Sequence, residues 1–424
     1  MIQVFKFGGA SVKDANGVRN LCKIISLNLD SSLLVVISAM GKTTNALEQL
    51  TDAYVEQKDT IAIFEGIKSF HEQILIDLFD DKNHPIFDEI ANTFIEIDWI
   101  LEEEPHPDYD FNYDQIVSVG ELISTKIVSA YLNHIGLKST WLDARSCIHT
   151  DNTYREGKVD WEKTLQAIVT QVPNLLLPLQ GTGGLITQGF IGGTSENFTT
   201  TLGREGSDYT AAIFASCLDC ASLTIWKDVP GVLNADPKWF EVTEKIDQLS
   251  YQDAIELTYY GATVIHPKTI KPLQNKNITL FVKSFLNPED TGTEISNKEN
   301  HLPIPSFIFK VDQVLISIFP KDFSFIVEEN LSQIFKLFHD HRVKINTMQN
   351  SAISFSVCVD QNEKKVQKLI TNLKEQYKVK YNDNMEMVTI RWYDQETINR
   401  VTVDKKVLLE VKSRHTCQMV MKGQ

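Results

Sequence analysis

Two glycine-punctuated stretches, nearly two hundred residues apart, carry side chains suited to holding phosphate. Lys6-Phe7-Gly8-Gly9-Ala10-Ser11 closes an apolar run that starts at Ile2, and Thr201-Leu202-Gly203-Arg204-Glu205-Gly206-Ser207-Asp208 opens a helical stretch from Tyr209 to Leu218. The first reads as a strand ending in a lysine. It leads through Ser11-x-x-Asp14 into a helix whose first backbone N–H groups are free for an anion. An ammonium at the end of an apolar strand needs a counter-charge, because an unpaired buried cation is costly. A phosphate would supply one. In the second stretch Ser207 or Asp208 could simply cap the helix. Capping leaves Arg204 unexplained, and its planar guanidinium suits a carboxylate or phosphate gripped by two hydrogen bonds.

A further strand end, Val35-Val36-Ile37-Ser38-Ala39, runs into Gly41-Lys42-Thr43-Thr44-Asn45. In an open parallel sheet, ligands bind outside the carboxyl ends of the strands, where such loops gather. Gly41-Lys42-Thr43 looks like the tail of a P-loop, but Val36 stands where its first glycine would be, so a Walker-type NTPase is not expected. Gly181-x-Gly183-Gly184 lacks the spacing and the helix of a dinucleotide fingerprint and is read as a mobile turn. Pro-Gly and Asp-Pro turns fix the path of the loop from Lys227 to Lys238. His266, in Gly261-Ala262-Thr263-Val264-Ile265-His266-Pro267, reads as a packed, hydrogen-bonded histidine rather than a catalyst. Cys217-x-x-Cys220 follows a helical pattern with no second cysteine or histidine pair, so neither a metal nor a redox site is read there.

These groups need elements to position them. Short apolar runs at 2–7, 33–39, 115–119, 139–142, 174–180, 222–228 and 279–283 alternate with 3.6-period segments, which predicts a mostly parallel sheet between helices. Val18, Leu21, Cys22 and Ile25 form one buried helical face, and a helix from Glu121 to Ile135 is stopped by Gly136. Residues 46–104 are helical and acidic, without evident chemistry. The turn-rich stretch 287–305 reads as a linker. Beyond it come a strand at 314–319, a helix with Leu331, Ile334, Phe335 and Phe338 on one face, and strands near 343–348 and 353–359. A helix with Val366, Leu369, Ile370 and Leu373 and a strand at 378–382 complete the β-α-β-β-α-β order of a ferredoxin-like unit. Strands near 386–393, 406–411 and 416–421 make residues 386–424 a second, shorter one. The expected division is therefore 1–300, 301–384 and 385–424.

At 424 residues the chain exceeds the size of one core, and 42% hydrophobic residues can build more than one. A net charge of −15 argues against a nucleic-acid partner. No run approaches the roughly 18 apolar residues of a spanning helix, and the N-terminus passes straight into a strand, so no membrane partner and a cytoplasmic location are expected. Six scattered cysteines fit reduced thiols.

Taken together, Lys6-Phe7-Gly8-Gly9-x-Ser11, Val119-Gly120-Glu121, Thr200-Thr201-Leu202-Gly203-Arg204-x-Gly206-Ser207-Asp208, Asp228-Val229-x-Gly231 and Gly261-Ala262-x-Val264-Ile265-His266-Pro267 resemble the aspartokinase family in order and spacing. The C-terminal pair of units resembles the ACT regulatory modules of that family. The resemblance implies an α/β, three-layer amino acid kinase fold with a mostly parallel central sheet, followed by the ACT modules. It also implies ATP-dependent phosphorylation of the side-chain carboxylate of L-aspartate, the first step of lysine, threonine and methionine biosynthesis, with Mg²⁺ neutralising the triphosphate and no protein metal ligands assigned. Lys6 would neutralise charge on the transferring group and Asp208 would organise the site. Arg204 would grip a carboxylate of aspartate and Glu121 would face its ammonium, with Thr44, Ser207 and Phe190 also at the substrate. Gly8, Gly9, Ser11 and Ser38 would line the phosphate path, and Lys227, Asp228, Leu233, Lys238, Thr263 and Val264 would border the nucleotide.

Some positions depart from the family pattern. Ala10 replaces a threonine. Glu205 replaces a common glycine and is expected to point to solvent, since a like charge beside a triphosphate repels. Lys227, Leu233, Lys238 and Thr263 stand for threonine, tyrosine, arginine and lysine, and Lys227 is read as supplying the charge lost at Thr263. Two other functions fit the same fold: an amino-acid-binding regulator that has lost its chemistry, and a kinase of another carboxylate. Retained Lys6, Glu121, Arg204 and Asp208 speak against the first, and Val119-Gly120-Glu121 with the ACT-like tail against the second. ACT modules pair side by side, which implies a homodimer or dimer of dimers. A lysine or threonine effector is expected between the Phe319–Phe325 loop and Ile345-Asn346-Thr347-Met348, with neutral Asn346 weighing slightly against lysine.

Overall fold

Val4, Phe5, Lys6 and Phe7 are all buried, because Ile2–Phe7 (β1) lies mid-sheet with a parallel neighbour on each side. Strands covered on both faces read as unbroken apolar runs, which is why β1, Ser32–Ile37 (β2) and Ser222–Lys227 (β7) are so legible. The computed structural model describes residues 1–240, 242–262, 265–298, 304–322 and 324–423. They fall into two compact units: residues 1–232, 247–255 and 264–299, and residues 233–246, 256–263 and 300–424.

In the first unit the other strands are Lys138–Leu142 (β3), Gly183–Gln188 (β4), Ile191–Gly193 (β5), Thr199–Thr201 (β6), Gln248–Ser250 (β8), Thr279–Ser284 (β9) and Thr293–Ser296 (β10). The main sheet runs β3-β4-β2-β1-β7-β9-β10-β8, and only the β9–β10 pairing is antiparallel. β5 and β6 form a separate hairpin. The helices are Ala15–Ser26 (α1), Thr43–Val55 (α2), Ile61–Leu78 (α3), Ile86–Glu102 (α4), Tyr109–Val117 (α5), Val119–His134 (α6), Trp161–Leu176 (α7), Gly206–Cys217 (α8), Tyr251–Tyr260 (α9) and Pro267–Lys276 (α10).

Several expectations are corrected. The run 115–119 is not a strand: it spans the junction of α5 and α6, where Ile116, Val117 and Val119 are buried against other helices. A short apolar run cannot by itself distinguish a strand from a buried helical turn. Residues 174–180 end α7 and form a 3₁₀ turn, and the strand lies just beyond, in the glycines read as a mobile turn. Gly183 is there for close approach, since a Cβ would sit 1.7 Å from the Lys138 carbonyl oxygen on β3. Asp14, not Ser11, caps α1 by accepting from Gly17 N–H, and residues 9–12 form their own 3₁₀ turn. The stretch read as a linker contains β10, and its residues 299–303 lie outside the described ones.

The second unit contains Ser306–Pro320 (β11), Glu328–Asp340 (α11), Ile345–Ser351 (β12), Ser354–Asp360 (β13), Glu363–Gln376 (α12), Tyr377–Arg391 (β14), Gln395–Thr402 (α13), Lys405–Lys412 (β15) and Thr416–Gly423 (β16). These strands make one antiparallel sheet in the order β12-β13-β11-β14-β16-β15. The segments read as strands 378–382 and 386–393 are one, because β14 pairs with β11 along its whole length. Ile334 and Phe338 of α11 and Val366, Leu369, Ile370 and Leu373 of α12 share a core with Ile316, Phe355 and Val357 of the sheet. No described helix is long and apolar enough to cross a membrane. All six cysteines are buried free thiols.

Candidate active site

The carboxyl ends of β1, β2 and β7 open beside the first turn of α8, in a cavity of about 590 Å³ within the first unit. β1 delivers Lys6 and α8 delivers Asp208. The Lys6 Nζ stands 2.7 Å from Asp208 Oδ1, and the residues are only 9% and 3% exposed. The contact is an ion pair without an aligned hydrogen bond, so Asp208 Oδ1 has no hydrogen-bond donor. Asp208 lies in the first turn of α8, where the helix dipole favours a carboxylate.

Backbone geometry explains why glycine brackets both motifs. A Cβ on Gly9 would lie 2.7 Å from the Ala39 carbonyl oxygen and 2.8 Å from that of Gly41, so the loops after β1 and β2 meet only if residue 9 has no side chain. They are tied by Ser38 N–H donating to Phe7 O and Gly41 N–H to Gly9 O, both at 3.0 Å. A Cβ on Gly206 would lie 2.7 Å from the Phe190 ring, so Phe190 packs directly on the start of α8. Phe190 N–H donates to Thr210 Oγ1, and Phe190 itself adopts a positive φ of 72°.

Glu121, on the first turn of α6, is 2% exposed, and its Oε2 has no hydrogen-bond partner. Burial pushes its carboxyl up to about 8, against the opposing pull of the Lys6 charge and of a backbone hydrogen bond from Ala39. A neutral carboxyl with an unmet oxygen is a receptor for a cation.

The expected residues Lys6, Ser38, Thr44, Glu121 and Phe190 line this one cavity, as do Arg204, Ser207, Asp208 and Lys227. Gly8, Gly9, Ser11 and Asp228 do not line it. The two glycines shape the turn beneath, where a Cβ on Gly8 would crowd the Lys6 ammonium at 3.3 Å. Leu233 and Lys238 belong to the second unit. There Leu233 bridges Lys245, and Lys238 N–H donates to Asp236 Oδ1 in the Asp-Pro turn. Thr263 and Val264 lie outside the described residues. His266 caps α10, its Nδ1 accepting from Lys268 N–H, in keeping with the reading as a hydrogen-bonded histidine. Glu205 corrects an expectation: instead of pointing to solvent it lines the cavity, with Oε2 buried and unpartnered.

Tyr113, Arg155 and Glu156 also line the cavity and were not read from the sequence. Arg155 holds a positive φ of 62°, pairs with Glu48 at 2.9 Å and lies over the Tyr113 ring at 4.2 Å. Asp114 of α5 fixes this wall. It accepts from Arg155 N–H, from Thr201 N–H and from the Thr201 hydroxyl, while burial raises its carboxyl to about 6.

In the second unit, Asn346 is consumed internally. Its amide nitrogen donates to Gln313 and Asp360, and its oxygen accepts from Lys310, while the Thr347 hydroxyl donates to Gln418.

The cavity therefore joins a cation–carboxylate pair at the end of a parallel sheet to a buried acid and an arginine, an arrangement suited to an anionic donor and an amino-acid acceptor. The sequence model of the amino acid kinase family matches residues 1–284. The chain is 30% identical over 363 residues to the lysine-sensitive aspartokinase 3 of Escherichia coli K12, covering 85% of this chain and 78% of that one. It is 32% identical over 302 residues to a chloroplastic bifunctional aspartokinase/homoserine dehydrogenase of Arabidopsis thaliana, but spans only 32% of that protein. The crystal structure of E. coli aspartokinase III with aspartate and ADP (R-state) superposes with a TM-score of 0.82 at 26% identity, over 100% of this chain and 96% of that one. Its complex with lysine and aspartate (T-state) does so equally well. Such agreement, in sequence over most of both chains and in backbone over nearly all of them, makes this chain a member of the aspartokinase family.

Proposed function

We infer that the chain transfers the γ-phosphoryl group of ATP to the side-chain carboxylate of L-aspartate, giving 4-phospho-L-aspartate. The observation that carries this reading is the convergence of Lys6, Asp208, Glu121 and Arg204 on one cavity. Phosphoryl transfer asks a protein mainly for positioning and charge stabilisation. Lys6 meets charge on the transferring group, and Asp208, paired with it at 2.7 Å, keeps that ammonium in place. Arg204 grips the α-carboxylate by its fork. Glu121, neutral without ligand, ionises against the substrate ammonium, while Ser207, Thr44 and Phe190 shape the acceptor side. Ser38 borders the phosphate path, and Lys227, with Asp228 behind it, borders the nucleotide.

Among the described residues no group of three or more His, Cys, Asp or Glu side chains could hold a metal ion by itself. That suits Mg²⁺, which keeps several waters and takes one or two carboxylates plus substrate phosphates. Asp208, with an oxygen lacking a hydrogen-bond donor, fits as such a carboxylate. When bound, the ion neutralises charge on the phosphates.

The E. coli relative is lysine-sensitive, and we extend feedback control by lysine or threonine, and a homodimeric or larger assembly, to this chain. Because the Asn346 amide is satisfied by its neighbours, the effector would be met by other groups of that region. Buried free thiols agree with a reducing, cytoplasmic setting. Comparing phosphorylation of L-aspartate and L-glutamate tests the acceptor: aspartate should be strongly preferred, and an equal or greater rate with glutamate would replace this reading by another carboxylate kinase.

A further inference from the structure

Glu205 occupies an unusual position for an acid. It precedes α8 with φ +54°, a left-handed conformation that an L-residue with a side chain rarely adopts. Its Oε2 is buried in the same cavity as Lys6 and Asp208, yet accepts no hydrogen bond. A buried, unmet carboxylate oxygen calls for a partner, and a strained backbone at a ligand cavity is a reason to look for one. The lining as a whole points the same way. Four basic side chains line the cavity, but so do four carboxyl side chains, and Arg155 is already paired with Glu48. The cavity therefore has no surplus of positive charge with which to receive a bare triphosphate.

Resting on the kinase reading above, we propose that Glu205 joins Asp208 in holding the divalent cation that accompanies the nucleotide, so that this chain accepts the metal–nucleotide complex and rejects the metal-free nucleotide. Both carboxylates belong to the start of α8, both line the cavity, and each has a buried oxygen without a hydrogen-bond donor. Asp208 is itself 3% exposed. Two protein carboxylates plus phosphate oxygens and water make a suitable octahedral Mg²⁺ set. Without the ion, Glu205 meets the phosphates as a like charge.

The test is calorimetric titration of the full chain with ADP, with Mg²⁺ and with EDTA, for the wild type, Glu205→Gln and Glu205→Gly. Glycine suits φ +54°, so the second variant keeps the fold accessible. In the wild type, Mg²⁺ should tighten ADP binding strongly. In both variants that enhancement should shrink by about tenfold to a hundredfold, the value of one charge-assisted contact, with metal-free ADP binding tighter than in the wild type. An unchanged Mg²⁺ enhancement in both variants would overturn the role of Glu205 while leaving the kinase reading intact. Absence of ADP binding in every arm would overturn both.

Discussion

Replacing Glu121 by glutamine separates the charge of this residue from its shape. Burial raises the carboxyl to about 8, so at pH 7 it is ionised only about one tenth of the time. If it ionises against the ammonium of aspartate, binding at pH 7 must expel about 0.9 proton, and prior ionisation costs about 1.4 kcal/mol. Between pH 6 and pH 8 the ionised fraction rises from about 1% to about 50%, so the aspartate dissociation constant should fall about fiftyfold and then level off. The folded state also holds a proton that the unfolded chain releases above its ordinary carboxylate range. Stability should therefore fall from about pH 4.5 to about pH 8 in the wild type, and this component should vanish in Glu121→Gln. The assay is calorimetric titration with L-aspartate in two buffers of different ionisation enthalpy, across pH 6 to 9. Glu121→Gln should bind about 10- to 150-fold more weakly at pH 8, without proton release. Aspartate binding without proton release in the wild type, or the same pH slope in the variant, would refute the reasoning.

Three further substitutions follow from local geometry. Asp114→Ala leaves two N–H groups and a hydroxyl without their acceptor, and should lower the unfolding free energy by about 2–4 kcal/mol in a denaturant titration. Gly183→Ala would push a Cβ into the Lys138 carbonyl, spreading β3 from β4 and costing about 3 kcal/mol or more by the same measurement. Gly9→Ala would force apart the loops after β1 and β2, and kcat/KM for ATP should fall about 10- to 100-fold while the melting temperature changes less than for Gly183→Ala.

The central strands and the glycine-bracketed charges were legible for one physical reason: a strand covered on both faces must be apolar throughout, so a lysine at its end stands out. Where the constraint was weaker, the reading failed. Ile116, Val117 and Val119 are equally apolar because a helical junction buries them, and the glycines at 183 and 184 look like a turn until β3 and β2 are seen pressing on β4. Arg155 and Glu156 belong to no periodic pattern, and only Asp114, forty-one positions from Arg155 along the chain, brings that wall to the cavity. Glu205 was noticed, but its orientation follows from a backbone angle that composition does not reveal. The two units of the ferredoxin-like half were read from helix faces alone, while the continuity of β11 and β14 through both emerged only from their pairing.

The account stands on Lys6 and Asp208 acting together on one nucleotide and one aspartate. Incubation with ATP, Mg²⁺, L-aspartate and hydroxylamine tests this directly, because hydroxylamine traps an acyl phosphate as its hydroxamate. The wild type should form aspartyl hydroxamate in step with ADP release, and Lys6→Ala should form almost none. No hydroxamate from the wild type, or equal amounts from both, would contradict the account.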